Sequence, residues 1–382
     1  MPSHDVCVVV PTIRDYDCVE AYVDNARAHG FPTERLYFVL VTEDFCDTRE
    51  MQNLLDGLDV DGRVFDASAR ERWYDEREVA DYAHVVPEAS HAETSFGLLY
   101  LWHEGYDYGV FIDDDTQPLE DHDFFGRHME NLATEGEVRR LSSDERWVNV
   151  LHDTPHDLYP RGYPYSAMDE EVHEDKVEVK RGDVVASQGL WTDVPDLDAV
   201  RILMDGDLQG QAQTRTRETD YDEGFVANRG CYLTVCSMNL AFRREIVPAF
   251  YQMPMDDNPW DVGRFDDIWS GVLLKRACDV LGKQIYTGEP LCRHMKAPRS
   301  TFDDLANEVA GLELNEHFWR IADDAGDEAG SYHEVADALA TRLVEGSWDD
   351  YNNGEFLRYT GEHLRDWLDC LEALERKEIA AD

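Results

Sequence analysis

Residues 6–11, Val-Cys-Val-Val-Val-Pro, form an unbroken apolar run, and residues 36–42, Leu-Tyr-Phe-Val-Leu-Val-Thr, form a second. Runs of this length without polar alternation predict strands buried on both faces. Between them the chain reads as a loop through Arg14 and a helix over about 16–29 that Gly30 ends. A helix near 47–57 and a short strand near 63–66 come next. Residues 89–104 carry Phe96, Leu99, Leu101 and Trp102 at helical spacing. Tyr108–Ile112 is then a strand that runs straight into Asp113-Asp114-Asp115. This alternation predicts a parallel α/β sheet covered on both faces. Ligands of such sheets sit at the carboxyl ends of the strands, so Pro11–Arg14, Thr42–Asp44 and Asp113–Asp115 are expected on one rim.

The middle of the chain is less regular. Residues 147–151 and 231–236 read as strands, 168–183 as a charged, exposed excursion, and 205–229 as loop. Residues 265–281 predict a helix and 284–286 a short strand. From about 302 onward the pattern is helical, with a final amphipathic segment over Phe356–Leu374. No internal repeat or low-complexity tract is visible. The expected division is a catalytic domain over 1–300 and a helical extension over 301–382 packed on it.

Composition changes this picture in two ways. The chain of 382 residues is 43% hydrophobic with 9 Trp, 18 Tyr and 15 Phe, enough for a packed core. Its formal charge is −47, from 82 acidic against 35 basic residues, and only 6 of the latter are Lys against 29 Arg. Phosphate contacts need clustered Lys and Arg, so nucleic acid is excluded as a partner. Acid recurring along the whole chain reads as a solvated surface adapted to molar salt, where the Debye length is about 3 Å. There is no secretory signal, no apolar stretch long enough to span a bilayer, and no CxxC pair among the eight cysteines. These features predict a cytoplasmic protein with reduced thiols; the oligomeric state stays open, a homo-oligomer among the options.

Four constellations carry candidate chemistry. Asp113-Asp114-Asp115 ends a buried strand at the ligand rim, where adjacent carboxylates favour a hard divalent cation and a shared diphosphate. Leu291-Cys292-Arg293-His294-Met295-Lys296 sets a histidine beside a lysine: either a structural pair, or a metal ligand with Lys296 or Arg293 neutralising a diphosphate. Gly263-Arg264-Phe265-Asp266-Asp267-Ile268-Trp269 opens a helix, where the two acids serve as caps or hold sugar hydroxyls. In Tyr159-Pro160-Arg161-Gly162-Tyr163-Pro164-Tyr165, Arg161 either packs on tyrosine rings or is a placed anion contact.

Taken in order, these pieces resemble the reversibly glycosylated polypeptides, or UDP-arabinopyranose mutases, once called α-1,4-glucan-protein synthases. The matching segments are Val10–Arg14, Ile112–Asp115, Arg161–Ser166, Ser187–Trp191, Val194–Ala199, Met238–Phe242, Gly263–Gly271 and His294–Lys296. The resemblance implies an α/β, GT-A glycosyltransferase-like fold: a mostly parallel, Rossmann-like sheet with helices on both faces and a helical C-terminal extension. It implies a UDP-sugar substrate and Mn2+ or Mg2+. Pro11, Thr12, Arg14, Asp44, Asp113, Asp114, Trp191, Asn239 and Lys296 would bind the nucleotide sugar, and Asp113, Asp115 and His294 the metal. Arg161, Asp266 and Asp267 would be catalytic, Arg161 matching an arginine that the family glycosylates on itself. The implied activity is pyranose–furanose interconversion of a UDP-sugar. A glycosyltransferase building surface or lipid-linked glycans, and a self-glycosylated carrier protein, are the alternatives. The chain departs from the family at Thr94, where Arg is expected, at Gln188, and at Thr42-Glu43-Asp44.

Overall fold

The structure, a computed structural model, describes residues 4–13, 17–168, 171–255 and 258–381. Strands β1 (Val6–Pro11), β2 (Leu36–Val41), β3 (Asp61–Phe65) and β4 (Tyr108–Ile112) pair in parallel in the order β3-β2-β1-β4. Helices α1 (Cys18–His29), α2 (Thr48–Gly57), α3 (Ala67–Glu76) and α4 (Ser95–Glu104) connect them. The boundaries follow local chemistry. Asp47 and Asp66 cap α2 and α3 by accepting from backbone N–H groups, and Gly30 ends α1 at φ 76°, a left-handed geometry that suits glycine.

The apolar runs of β1 and β2 divide by parity. Val6, Val8 and Val10 enter one core with α1 and α2, while Cys7 and Val9 enter the other with α3 and α4. Each fully buried valine of this kind contributes about 1.5–3 kcal/mol. Helix α4 lies directly on β1: a Cβ at Gly97 would stand 2.3 Å from Val9 Cγ1, so Gly97→Ala would force helix and strand apart.

Past β4 the sheet becomes mixed. The remaining strands are β5 (Thr116–Pro118), β6 (Gly136–Ser143), β7 (Trp147–Val148), β8 (Val172–Val179), β9 (Val184–Gln188), β10 (Trp191–Asp193), β11 (Phe225–Ala227), β12 (Tyr232–Leu233), β13 (Asn239–Arg243), β14 (Gln284–Thr287) and β15 (Cys292–His294). Among the described residues the main sheet runs β3-β2-β1-β4-β13-β9-β14-β11-β6-β8, and a small sheet, β10-β15-β5, sits at the rim. The expected α/β class, a mostly parallel sheet with cores on both faces, therefore holds, with β13 antiparallel to β4 at the centre.

Two expectations change. Residues 168–183 are not an excursion: β8 pairs antiparallel with β6 along eight register positions at the sheet's edge. The strand pattern is hidden by charge, because cross-strand ion pairs such as Arg140–Asp175 take the place of apolar alternation on an edge. The strands expected over 147–151 and 231–236 shrink to β7 and β12, which pair with each other. Helices α5 (Phe124–Leu132), α6 (Ala199–Asp205) and α7 (Asp266–Leu281) complete the part before residue 300. Helices α8 (Thr301–Asp323), α9 (Tyr332–Glu345) and α10 (Glu355–Ala381) share the core of α4 and α7, through Phe318, Leu339 and Trp367 among others. All eight cysteines are free. Among the described residues no helix is long and apolar enough to cross a membrane.

Candidate active site

The carboxyl ends of β1, β2 and β4 open into a cavity of about 550 Å³, whose far wall comes from the loop before α7, the segment after β15 and the first turns of α8. The acidic triplet stands in it, and each carboxylate leaves in a different direction. Asp114 Oδ2 accepts from Thr12 Oγ1 at 3.0 Å, Asp113 Oδ1 lies 3.7 Å from His91 Nε2, and Asp115 Oδ2 lies 3.9 Å from His294 Nε2. Separate neighbours thus relieve the repulsion that three adjacent acids would otherwise suffer.

The Asp115–His294 pairing follows from the small sheet. His294 stands opposite Thr116 in the antiparallel β15–β5 ladder, and Met295 N–H donates to the Asp115 carbonyl at 2.8 Å. His294 Nδ1 lies 2.7 Å from the Val194 carbonyl. A carbonyl only accepts, so Nδ1 carries a proton and Nε2 is the ring nitrogen turned toward Asp115, as in an imidazole that offers Nε2 to a metal. Among the described residues no three His, Cys, Asp or Glu side chains form a metal cage. A divalent ion between Asp115 and His294 would therefore need ligands from an oxygen-rich substrate, which is how magnesium and manganese sites at phosphates are built.

Arg161 faces the triplet from the opposite wall. Its fork donates to Asp267 at 3.1 and 3.0 Å, Nε donates to Asp196 at 3.2 Å, and Nη1 also donates to the Arg264 carbonyl. Of the two readings of Arg161, packing on tyrosine rings is not realised: Arg201, not Arg161, lies over Tyr159. Gly162 gives the loop its shape at φ 87°, where a Cβ would meet Ile268 Cγ2 at 2.3 Å. Burial disfavours the guanidinium charge, but Asp196 and Asp267 outweigh it and hold Arg161 well above its usual range. For Asp196 burial is likewise overcome, chiefly by Arg161, and its carboxyl lies below the usual range.

His91 is the bridge between the two walls. Its Nδ1 is 2.7 Å from Asp266 Oδ2, while Nε2 faces Asp113. Burial opposes its charge, yet Asp266 and then Asp113 raise it well above the usual histidine range, although 39% of the side chain faces the cavity. Asp266 is correspondingly lowered, burial being overcome by His91, whereas burial and the Asp266 charge raise Asp267 against the pull of Arg161. Lys296 differs from every neighbour: it is 5% exposed and its Nζ has no hydrogen-bond partner among the described residues. Burial pulls this ammonium below its usual range despite Asp196 nearby. An unmatched buried cation is costly, and an anion arriving in the cavity would remove that cost.

The cavity thus brings together Pro11, Thr12, Asp113, Asp114, Asp115, Arg161, Asp266, Asp267, His294 and Lys296 of the residues expected from sequence. Three others stand elsewhere. Asp44 is exposed and bonded to Ser68 N and Oγ, because the chain after β2 turns it toward the start of α3. Trp191 is 1% exposed in the hydrophobic core. Asn239 is buried beneath the rim, accepting from His128 Nε2 and donating to the Leu190 and Pro290 carbonyls. That donor role for His128 follows from its other contact, Ser187 Oγ at 2.9 Å, which can supply a proton to Nδ1. Arg14 lies outside the described residues.

Sequence reasoning missed His91, Asp196 and a buried ionic knot at the end of β2. In that knot Arg70 lies 3.4 Å from Glu43 and 3.5 Å from Glu93, and Ala89 N–H donates to Glu43 at 2.7 Å. Burial first, and then the neighbouring Glu43, pushes Glu93 up to about 8 against the pull of Arg70. Nothing in the local pattern marks these residues. Asp196 fell inside a matched segment, but its partner Arg161 is 35 positions away.

Comparison with known proteins adds an independent finding. Residues 3–351 match the family model described as "Reversibly glycosylated polypeptide". A relative from Solanum tuberosum, "Probable UDP-arabinopyranose mutase 2", is 29% identical over 81% of this chain and 74% of its own length. "UDP-arabinopyranose mutase 3" from Arabidopsis thaliana is 28% identical over 84% and 76% respectively. Among solved structures, a mannosyltransferase from Pyrobaculum calidifontis in complex with GDP-Man and Mn2+ aligns at 14% identity and a TM-score of 0.39, over 95% of this chain and 85% of that one.

Proposed function

The chain belongs to the reversibly glycosylated polypeptide family, and from this premise we propose that it interconverts the pyranose and furanose forms of a UDP-sugar with the help of a divalent cation. The observation that carries this reading is the make-up of the cavity: the Asp115–His294 pair and Lys296, whose Nζ has no hydrogen-bond partner among the described residues, share it with the Arg161–Asp267 fork and the Asp266–His91 pair. The first group suits a diphosphate and the second a sugar.

Ring exchange needs the bond from the anomeric carbon to the diphosphate to break, the bond from that carbon to the ring oxygen to open while another hydroxyl oxygen bonds there and gives up its proton, the former ring oxygen to take a proton, and the diphosphate to return to the anomeric carbon. Lys296 offers the departing diphosphate a desolvated positive charge. Asp266, hydrogen-bonded to His91, is the pair that can take and return the proton. Arg161 holds the Asp267 carboxylate in one orientation beside the sugar as positive charge develops on the ring. Asp115 and His294 would hold the cation, which when bound draws charge from the diphosphate oxygens. Thr12 and Asp114 close the nucleotide end.

Self-glycosylation on Arg161 is a side event in this reading. A guanidinium attacks only after losing a proton, and two carboxylates keep Arg161 protonated. A carrier whose sole function is the modified arginine is disfavoured on the same ground. A glycosyltransferase would use the same cavity and differ in product. The deciding experiment is incubation with a panel of UDP-sugars and Mn2+ in molar salt, followed by chromatography of the nucleotide-sugar isomers. A new UDP-sugar isomer supports the mutase, and a sugar transferred to an acceptor with release of UDP supports the transferase.

The cation has its own test. Asp115→Asn is expected to weaken Mn2+-dependent UDP-sugar binding by about tenfold or more while leaving the fold intact. Titration calorimetry with and without chelator measures it. Equal affinities in wild type and variant would remove Asp115 from the metal site.

A further inference from the structure

Helix α8 is bonded to both loops that carry the Arg161–Asp267 pair, through side chains that are themselves buried. Asn315, 3% exposed, donates to the Gly162 carbonyl at 2.8 Å and accepts from Trp269 Nε1 at 3.2 Å. Two turns before it on the helix, Glu308 is fully buried and accepts from Arg264 Nε at 2.7 Å, and a turn further back Asp304 accepts from Arg264 Nη1 at 3.1 Å. Arg264 in turn presents its carbonyl to Arg161 Nη1. Its backbone has φ 61°, a left-handed conformation that a residue with a Cβ rarely adopts. Its side chain is tied to α8 by the ion pairs to Asp304 and Glu308.

Resting on the assignment of Arg161 and Asp267 to the sugar side of the cavity, we propose that α8 is a positioning element for turnover: Glu308 acts through Arg264, and Asn315 through Gly162, to align the Arg161–Asp267 fork. Neither residue lines the cavity, so both are positioning residues and not catalytic ones. Attachment of the helix alone does not call for them. The Trp269–Phe318 stack at 3.9 Å and the close approach of Gly311 to Phe265 already seat α8 by apolar packing. Buried ion pairs are a poor route to stability, because desolvating the charges offsets their attraction. What they supply here is direction, since both loops meet one helix and reach the cavity in fixed register.

The test uses Glu308→Gln, which keeps the shape and the acceptor for the Ala199 N–H that Glu308 also bonds at 2.6 Å, and Asn315→Asp, which loses the donor to Gly162. Steady-state kcat and KM, UDP affinity, melting temperature and exchange of the Arg161 guanidinium protons are measured in high salt. The exchange is followed by NMR of arginine-labelled protein, with the signal assigned by its absence in Arg161→Lys. Each variant is expected to lower kcat about tenfold, with KM and UDP affinity within about twofold, and to speed Arg161 proton exchange about tenfold. Unchanged exchange in both variants would overturn the proposal, as would parallel losses of kcat, UDP affinity and melting temperature. A wild type without turnover on any UDP-sugar, but with exchange that accelerates in the variants, would refute the proposed function and leave the hold of α8 on Arg161 standing.

Discussion

Arg161→Ala is expected to abolish turnover and to cost about 3–5 kcal/mol of stability, the penalty for stranding a buried charge. Asp267 and Asp196, whose side chains are 3% and 9% exposed, would lose the partner that offsets their burial. Arg161→Lys separates the two effects. An ammonium keeps the charge but cannot make the two parallel bonds to Asp267 together with the bond to Asp196. It should retain a folded protein and lose about 100-fold in kcat, while UDP affinity, assigned to Thr12 and Lys296, changes little. Thermal unfolding, steady-state kinetics and UDP titration on the two variants check this. Peptide mass spectrometry after exposure to substrate would locate any adduct. Full turnover in Arg161→Ala would leave the arginine a purely structural ion-pair partner.

The second large effect is that of salt. A charge of −47, with 35 basic residues to set against 82 acidic ones, leaves most surface carboxylates facing like charges. At molar salt the repulsion reaches about 3 Å, whereas at 0.01 M it reaches about 30 Å and acts across the molecule. Folded proteins have only about 5–15 kcal/mol in reserve. The protein is therefore expected to melt cooperatively in molar KCl and to be unfolded at room temperature in 0.01 M salt. Circular dichroism across a salt series measures it, and equal melting temperatures at both ends would show that the acid has another purpose. The buried ion pairs respond less, because screening does not reach them.

How much of this was legible beforehand depends on the range over which each feature is decided. The apolar runs of β1, β2 and β4 and the helices between them rest on neighbours within a few positions, and so does the placement of Asp113–Asp115 at a strand end. The sequence by itself therefore determined the parallel half of the sheet, its ligand rim and the acidic triplet on it. It also carried the family, through segments whose order is specific although each is weak. The edge strand β8 and its partner β6 escaped because the faces they present are charged, and charge on an edge erases the alternation that marks a strand. Matched segments misled at Trp191 and Asn239, since a residue can recur in a motif because it packs the core or braces a loop. Asp44 and Glu43 are neighbours in the chain, yet only Glu43 faces the cavity, and the turn into α3 decides which.

The tertiary structure alone decided the partners. His91 meets Asp266 across 175 positions, Arg161 meets Asp267 across 106, and Asn315 reaches Gly162 across 153. A hydrophobic period is set by one turn of backbone and can be read one window at a time. An ion pair across the fold is set by the path of the whole chain, by which strands lie side by side and by which helix closes the open end, and no short window of sequence contains that path.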